Sequence, residues 1–278
     1  MENKTEFIIQ KYKEGLSIAK IGKLVGLSYS VVRKRLLQNN INLRAAKPYS
    51  KIGNPRYFEK IDTATKAYFL GLLIADGNVG IDERKQNDKH SISYYFRLTL
   101  KNEDKYILEA LNKELMGTGK IYEPKKRNES SLSYSSKEMF EDLSQYGVVP
   151  NKTFYSYLPV LDDELMPHLI RGIFDGDGTV FIRTDNSKKH KIRLEFGFAG
   201  TELLCSQIKE YLQKVIQISD NKVLVRKDRN VSQLMFSKLK DIESFYNFIY
   251  SDSNVFLKRK RKKFDEFLFL YANTEVTV

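Results

Sequence analysis

Tryptophan is absent from the 278 residues, cysteine occurs once, histidine three times and proline six times. Each shortage excludes something. One cysteine, Cys205, cannot form an intrachain disulfide, and with only His90, His168 and His190 beside it there is no ligand cluster for a structural zinc. Cys205 is expected as a small buried hydrophobe. Long apolar runs are missing too: the longest, Ala67–Ala75, is far short of a bilayer span, and the opening MENKTEFII has no signal-peptide core. A soluble, intracellular protein is the expectation. Acid is also scarce, with 35 Asp and Glu against 47 Lys and Arg, so the chain carries a net charge of +12 and a pI near 9.4. Such a surplus points to a polyanionic partner. What the chain does have is 41% hydrophobic and 12% aromatic residues, enough for a real core in more than one domain.

Residues 1–45 read as a unit of their own. TEFIIQKYKEG puts Phe7, Ile8 and Tyr12 on one helical face and stops at Gly15; Ser17 caps IAKIGKLVG, and Ser28 opens YSVVRKRLLQNN. Three short helices with a Gly-Leu-Ser turn before the third have a helix-turn-helix pattern, and they resemble the DNA-binding domains of resolvases and invertases. In that arrangement Val31, Val32, Leu36 and Leu37 hold the third helix down, while Tyr29, Ser30, Arg33, Lys34 and Arg35 face a DNA groove. The alternative is a small helical cap with a solvated basic face. Residues 46–60, with Pro48, Gly53 and Pro55 and a basic excess, read as a linker.

From residue 61 the chain repeats itself. AYFLGLLIADGNV (67–79) and LIRGIFDGDGTV (169–180) are apolar runs with small residues at helical spacing, each ending in Asp-Gly. After the first come the alternation ISYYFRLTLK, a helix, two weaker strands and a helix; after the second come FIRTDNSKKH, the alternation IRLEFGFAG, a helix, two strands and a helix. The predicted fold is α+β: a tandem αββαββα repeat with a pseudo-twofold axis, halves 61–158 and 159–278, preceded by a small all-α domain.

Gly71 and Ala75 lie at i and i+4 in the first run, as do Gly172 and Gly176 in the second. Each helix therefore has one face almost without side-chain bulk, and two such faces pack backbone to backbone. Packed about the pseudo-twofold, they bring Asp76 and Asp177 side by side. Two carboxylates at the negative ends of two helix dipoles repel unless a divalent cation joins them, and hard oxygen ligands without His or Cys favour magnesium. A calcium loop at DGDGT fails on detail, because Val180 and Asn186 stand where Gly and Glu are needed.

FLGLLIADG and IRGIFDGDG resemble the two motif copies of the LAGLIDADG homing endonucleases in their single-chain form, over residues 61 to about 270. The first copy departs from the pattern at Ile74, where the second has Asp175. The resemblance implies a monomeric, magnesium-dependent, site-specific double-strand DNA endonuclease, with manganese as a substitute ion and Asp76 and Asp177 as metal ligands, aided by the carbonyls of Ala75 and Gly176. It also implies a basic residue near the scissile phosphate in each half. Lys152, in GVVPNKTF, and Lys260, in FLKRKRKKF, lie at similar distances beyond their aspartates and match that role, with Lys258 as a neighbouring DNA contact.

DNA recognition is expected on the sheet faces. Alternation sends Ile92, Tyr94, Phe96, Leu98 and Leu100 toward helices, and Tyr95, Arg97, Thr99 and Lys101 outward; the second half sends Ile192, Leu194, Phe196 and Phe198 inward, and Lys191, Arg193 and Arg183 toward DNA. Two other readings keep the same scaffold: a transcription regulator that binds without cutting, and an intron RNA maturase.

Overall fold

The serines expected to start helices do so in the computed structural model, which describes residues 2–43, 51–86, 89–185, 191–226 and 231–275. The chain forms two units, Met1–Tyr49 and Ser50–Val278. The first holds α1 (Glu2–Lys13), α2 (Ile18–Val25) and α3 (Tyr29–Gln38). Ser17 Oγ accepts from Lys20 N–H at 3.3 Å and Ser28 Oγ from Val31 N–H at 3.4 Å, satisfying amides that a helix start leaves unpaired. Between them Gly26, at φ +68°, ends α2 in the left-handed conformation that suits glycine.

Ile8, Tyr12, Ile18, Ile21, Val32 and Leu36 form the core of this unit. Three expectations are corrected here: Phe7, Val31 and Leu37 are exposed. Val32 and Leu36 stand four apart on one face of a ten-residue helix, and their sequence neighbours are turned away from it by the 3.6-residue period.

The predicted linker 46–60 is corrected as well. Residues 44–50 lie outside the described set, but 51–60 belong to the second unit. Tyr57 and Phe58 are buried in its core, Gly53 N–H donates to Leu115 O at 3.0 Å, and Arg56 pairs with the buried Asp142 at 2.6 Å. Two adjacent aromatic side chains outweigh the basic, glycine- and proline-containing flavour of the segment.

The second unit repeats as predicted. Its first half runs α4 (Ala64–Ala75), β1 (Gly77–Gln86), β2 (Lys89–Lys101), α5 (Lys105–Glu114), β3 (Glu129–Ser135) and α6 (Lys137–Ser144). The second runs α7 (Met166–Asp177), β4 (Gly178–Asp185), β5 (Lys191–Gly200), α8 (Glu202–Ile216), β6 (Leu224–Arg226), β7 (Val231–Phe236), α9 (Leu239–Tyr250) and α10 (Lys258–Glu275). Both sheets are antiparallel, ordered β1-β2-β3 and β4-β5-β7-β6. Register shows the duplication directly: the glycine after each aspartate opens a strand, with Gly77 opposite Leu98 and Gly178 opposite Phe198. GKIYEP, predicted as a strand, contributes only an isolated bridge, Tyr122 to Ser131, because Pro124 has no amide to continue the ladder.

Inward alternation holds for Phe96, Leu98, Leu100, Leu194, Phe196 and Phe198, all buried. It fails at Ile92, which is exposed, and weakens at Tyr94, which is half-buried against Phe140 of α6. These two stand where the β1–β2 ribbon runs beyond β3, whose pairing starts only at Tyr95. Among the described residues no helix is long and apolar enough to cross a membrane. Cys205 is buried, as expected.

Helices α4 and α7 make the most extensive contact between any two elements. A Cβ on Gly71 would come within 2.9 Å of Ile173 N, and one on Gly172 within 2.7 Å of Leu72 N. Only hydrogen at both positions lets the two backbones approach this closely.

Candidate active site

Both helices of this pair end at an aspartate: Asp76 is the C-cap of α4 and Asp177 the last residue of α7. A Cβ on Gly176 would lie 3.3 Å from Asp76 Oδ2, so the carboxylate of the first half reaches over the helix end of the second. Ala75 and Gly176 meet at the same level, where a Cβ on glycine would clash with the alanine methyl. The four expected helix-pair residues are therefore all in the seam.

Two lysines converge on these helix ends. Lys152, in a short turn (Lys152–Phe154) after α6, donates to Ala75 O at 2.6 Å. Lys260, in the first turn of α10, donates to Phe174 O at 2.6 Å, to Gly178 O, and more weakly to Gly176 O at 3.4 Å. Both side chains are buried, at 9% and 5% exposure, which for ammonium groups demands compensation. Here it comes from carbonyls at the negative helix ends and from the two carboxylates. The carbonyls of Ala75 and Gly176, expected to help hold metal, thus already accept from lysine; each keeps a second lone pair.

The charges perturb one another. Asp76 and Asp177 are open to solvent at the helix tips yet ringed by protein. Burial, then repulsion from Asp177, pushes the Asp76 carboxyl up to about 6, against the pull of Lys260 and Lys152. Burial also raises Asp177, opposed by the same lysines. Lys260 is lowered to about 8 by burial, with Asp175, Asp76 and Asp177 pulling the other way; Lys152 is lowered for the same first reason. Such strained like charges at one point mark a functional cluster more often than a structural one.

Two residues that organise this site, Asp175 and Arg171, are not among the site residues expected from the sequence. Asp175 is wholly buried, and its Oδ2 accepts from Tyr68 Oη at 2.9 Å and from Leu257 N–H at 2.7 Å. It thereby ties the first half, the second and the start of α10. Arg171, also buried, donates to Ile249 O at 2.8 Å and Val255 O at 3.0 Å, fixing the segment that leads into α10. Only the length of the motif, which places Asp175 and Arg171 on a core helix, could have drawn attention to them.

The predicted sheet-face residues divide. Arg97 and Lys101 are exposed on β2 and Tyr95 is half-buried. Arg97 and Thr99 join Lys120, Tyr122, Arg127, Ser131 and Ser133 in a groove of about 480 Å³ on the first sheet. Lys120 and Arg127 were missed because they sit in an irregular segment without periodicity. On the second sheet the exposed Arg183 and Arg193 stand directly opposite in register. Arg183 also lies 3.8 Å from the Glu195 carboxylate, which moderates the cost of placing the two guanidinium groups opposite each other. The side chains of Lys191 and of the hairpin tip after Arg183 lie outside the described residues. Lys258 is exposed at the start of α10, with its ammonium 4.8 Å above the Tyr106 ring rather than on a sheet. In the N-terminal unit, Tyr29, Ser30, Arg33, Lys34, Leu37 and Gln38 line a shallow concavity along α3, and Arg35 is half-buried.

No protein-family model matches the sequence, and no curated protein is significantly similar to it. Solved structures do match. The I-LtrWI LAGLIDADG homing endonuclease bound to target DNA superposes with a TM-score of 0.56 at 16% identity, over 81% of this chain and 92% of that one. I-SmaMI bound to cleaved DNA gives 0.57 at 13% identity, over 78% and 92%. I-SmaMI bound to uncleaved DNA with calcium ions gives 0.57 at 14%, over 78% and 93%. The chain has the LAGLIDADG homing endonuclease fold.

Proposed function

We propose that the protein is a metal-dependent, site-specific double-strand DNA endonuclease, each half of the Ser50–Val278 unit cutting one strand. The observation that carries this reading is the meeting of Asp76, Asp177, Lys152 and Lys260 at the ends of one close-packed helix pair. A fold alone does not confer an activity; this cluster has the chemistry. Two part-buried carboxylates, with the Asp76 pKa raised by burial and then by repulsion from Asp177, fit a hard divalent cation, which would offset both. Among the described residues no third acid, histidine or cysteine joins them, so such an ion keeps water in its shell, as magnesium prefers and manganese tolerates. When bound, the ion would neutralise phosphate charge and lower the pKa of water at the scissile bond.

The chain's own residues do the rest. Asp76 and Asp177 hold the cation, with Ala75 O and Gly176 O as further oxygen donors. Lys152 and Lys260, positioned beside the carboxylates, stabilise the negative charge that grows on each phosphate. Arg97, Lys101, Tyr95 and the added Lys120 and Arg127 read one half-site; Arg183, Arg193 and Lys191 read the other. Because the two faces differ, the target need not be palindromic. The N-terminal unit acts as a helix-turn-helix module that contacts duplex DNA through Tyr29, Ser30, Arg33 and Lys34 of α3, with Arg35 at the edge. The DNA-bound enzymes that share the fold are in keeping with this partner.

The test is cleavage of a randomised duplex library in magnesium and in EDTA, by the wild type and by Asp76→Asn/Asp177→Asn. Magnesium-dependent ends at one long motif, lost in the double variant, are expected. Selective binding without cutting would instead support a regulator, and a clear preference for structured RNA at matched salt a maturase.

A further inference from the structure

Each lysine belongs to one half, but the backbone that carries it is held by the other. On the Lys260 side the holder is the start of α5 in the first half. Tyr106 Oη donates to Phe256 O at 3.0 Å and accepts from Lys258 N–H at 2.7 Å, spanning Leu257 on both sides. Two residues earlier, Asp104 Oδ2 pairs with Arg259 Nε at 2.8 Å. Lys260 follows directly, on the helix turn that these contacts pin.

On the Lys152 side the holder is the start of α8 in the second half. Thr201 Oγ1 donates to Ser156 O at 2.6 Å, and Ser156 Oγ donates to Lys152 O at 2.8 Å. Gln207, further along α8, accepts from Leu158 N–H at 2.9 Å. Asp104 and Thr201 hold equivalent places in the duplication, since each is the N-cap position of the helix that follows the long strand of its half. Two unlike sets of side chains thus perform one operation in both directions.

A buried ammonium acts on a phosphate only if its placement is tight, and a shift of about 1 Å in a catalytic group can cost on the order of a hundredfold in rate. The lysine side chains are anchored at their tips by helix-end carbonyls; these contacts anchor them at their base. We propose that Tyr106 and Thr201 are the positioning residues of a reciprocal clamp, through which each half sets the rate of the cut made by the other. The proposal rests on the endonuclease reading above.

The experiment uses full-length protein and end-labelled duplex carrying the target recovered from the library, each strand's cut followed separately under single-turnover conditions. Tyr106→Phe removes one hydroxyl and both its bonds. Thr201→Ala removes the donor to Ser156 together with the oxygen that caps α8 by accepting from Leu204 N–H at 3.0 Å, and Thr201→Ser keeps both. Affinity is measured in calcium and folding by thermal melting. Expected is near-unchanged affinity, with Tyr106→Phe slowing one strand by tenfold or more and Thr201→Ala slowing the opposite strand, so that nicked duplexes of opposite polarity accumulate; Thr201→Ser restores the wild-type rates. Loss of stability alone slows both strands together. Equal slowing of both strands, slowing of the same strand by both variants, or no slowing overturns the clamp. A wild type that cuts neither strand is a separate result: it rejects the endonuclease reading, and the clamp with it.

Discussion

Replacing Gly71 by alanine tests the reasoning at its centre, because the same substitution on an ordinary helix face has the opposite sign. In a free helix, glycine to alanine gains about 1 kcal/mol from lower backbone entropy in the unfolded chain. At Gly71 the new methyl would run into the carbonyl oxygen of Leu169 and stand 2.9 Å from Ile173 N and 3.0 Å from Leu169 C, where ordinary contact begins at 3.4 Å. Its neighbours are backbone atoms of α7, which no rotamer change can move, so the helices must part by roughly an ångström or more. Overpacking of this kind costs about 1–3 kcal/mol or somewhat more. A clash with backbone oxygen sits at the top of that range, so against the helix gain a net loss of about 2 kcal/mol or more remains, and for a unit of this size that lowers Tm by roughly 4–8 °C. Parting the seam also moves Asp76 away from the Gly176 end of α7, so cleavage should fall on the order of a hundredfold. Calorimetry and single-turnover cleavage read the two effects. A Gly71→Ala protein that melts at or above the wild type would show that the two backbones do not meet there.

Three further outcomes follow from named contacts. Because the Asp76 carboxyl is held at about 6, above its ordinary 3.8, the folded state binds that proton more tightly than the unfolded chain does; the resulting stability is full below about pH 4 and lost as pH rises through 6. Asp76→Asn in EDTA should therefore raise Tm relative to the wild type at pH 8 and hardly at pH 4, and equal gains at both, in parallel thermal melts, would contradict the strain. Asp175→Ala strands the buried Tyr68 hydroxyl and Leu257 amide, at about 1–3 kcal/mol each, so urea unfolding should show a loss of about 2–6 kcal/mol. Arg33→Ala on α3 should lower the slope of log affinity against log salt by about 1 if its guanidinium meets a phosphate; an unaltered slope would leave the N-terminal unit without a part in DNA binding.

The residues legible in advance share one property: the sequence states them twice. Asp76 and Asp177 each close a small-residue helix and precede a strand, and Lys152 and Lys260 follow them at similar intervals, so each copy checked the other. Around the site, residues stated once were lost. Tyr106, Asp104 and Thr201 act through contacts far away in sequence, and nothing local distinguishes them from any other polar residue at a helix start. Periodicity named the core face of β2 but not its extent, since a face is buried only as far as its neighbour reaches, and Ile92 stands beyond that limit; Val31 and Leu37, expected on the core face of α3, are turned off it by the helical period.

The one visible departure between the motif copies has a physical account on the same terms. The position held by the buried Asp175 in α7 is Ile74 in α4, itself buried in an apolar setting. Lys152 is carried by a three-residue turn whose ends are already bonded to their own neighbourhood, through Lys152 N–H to Val149 O and Tyr155 N–H to Lys152 O. Lys260 is carried instead by an eighteen-residue helix, α10, whose first amides have no partner within the helix. A carboxylate at position 175 supplies one at Leu257, and Tyr68 from the first half shares the same oxygen. The acid at 175 serves where the start of a long helix must be fixed in the core, while Ile74 lies in the hydrophobic core and serves packing. The halves thus differ in their motif because they differ in how they carry a lysine.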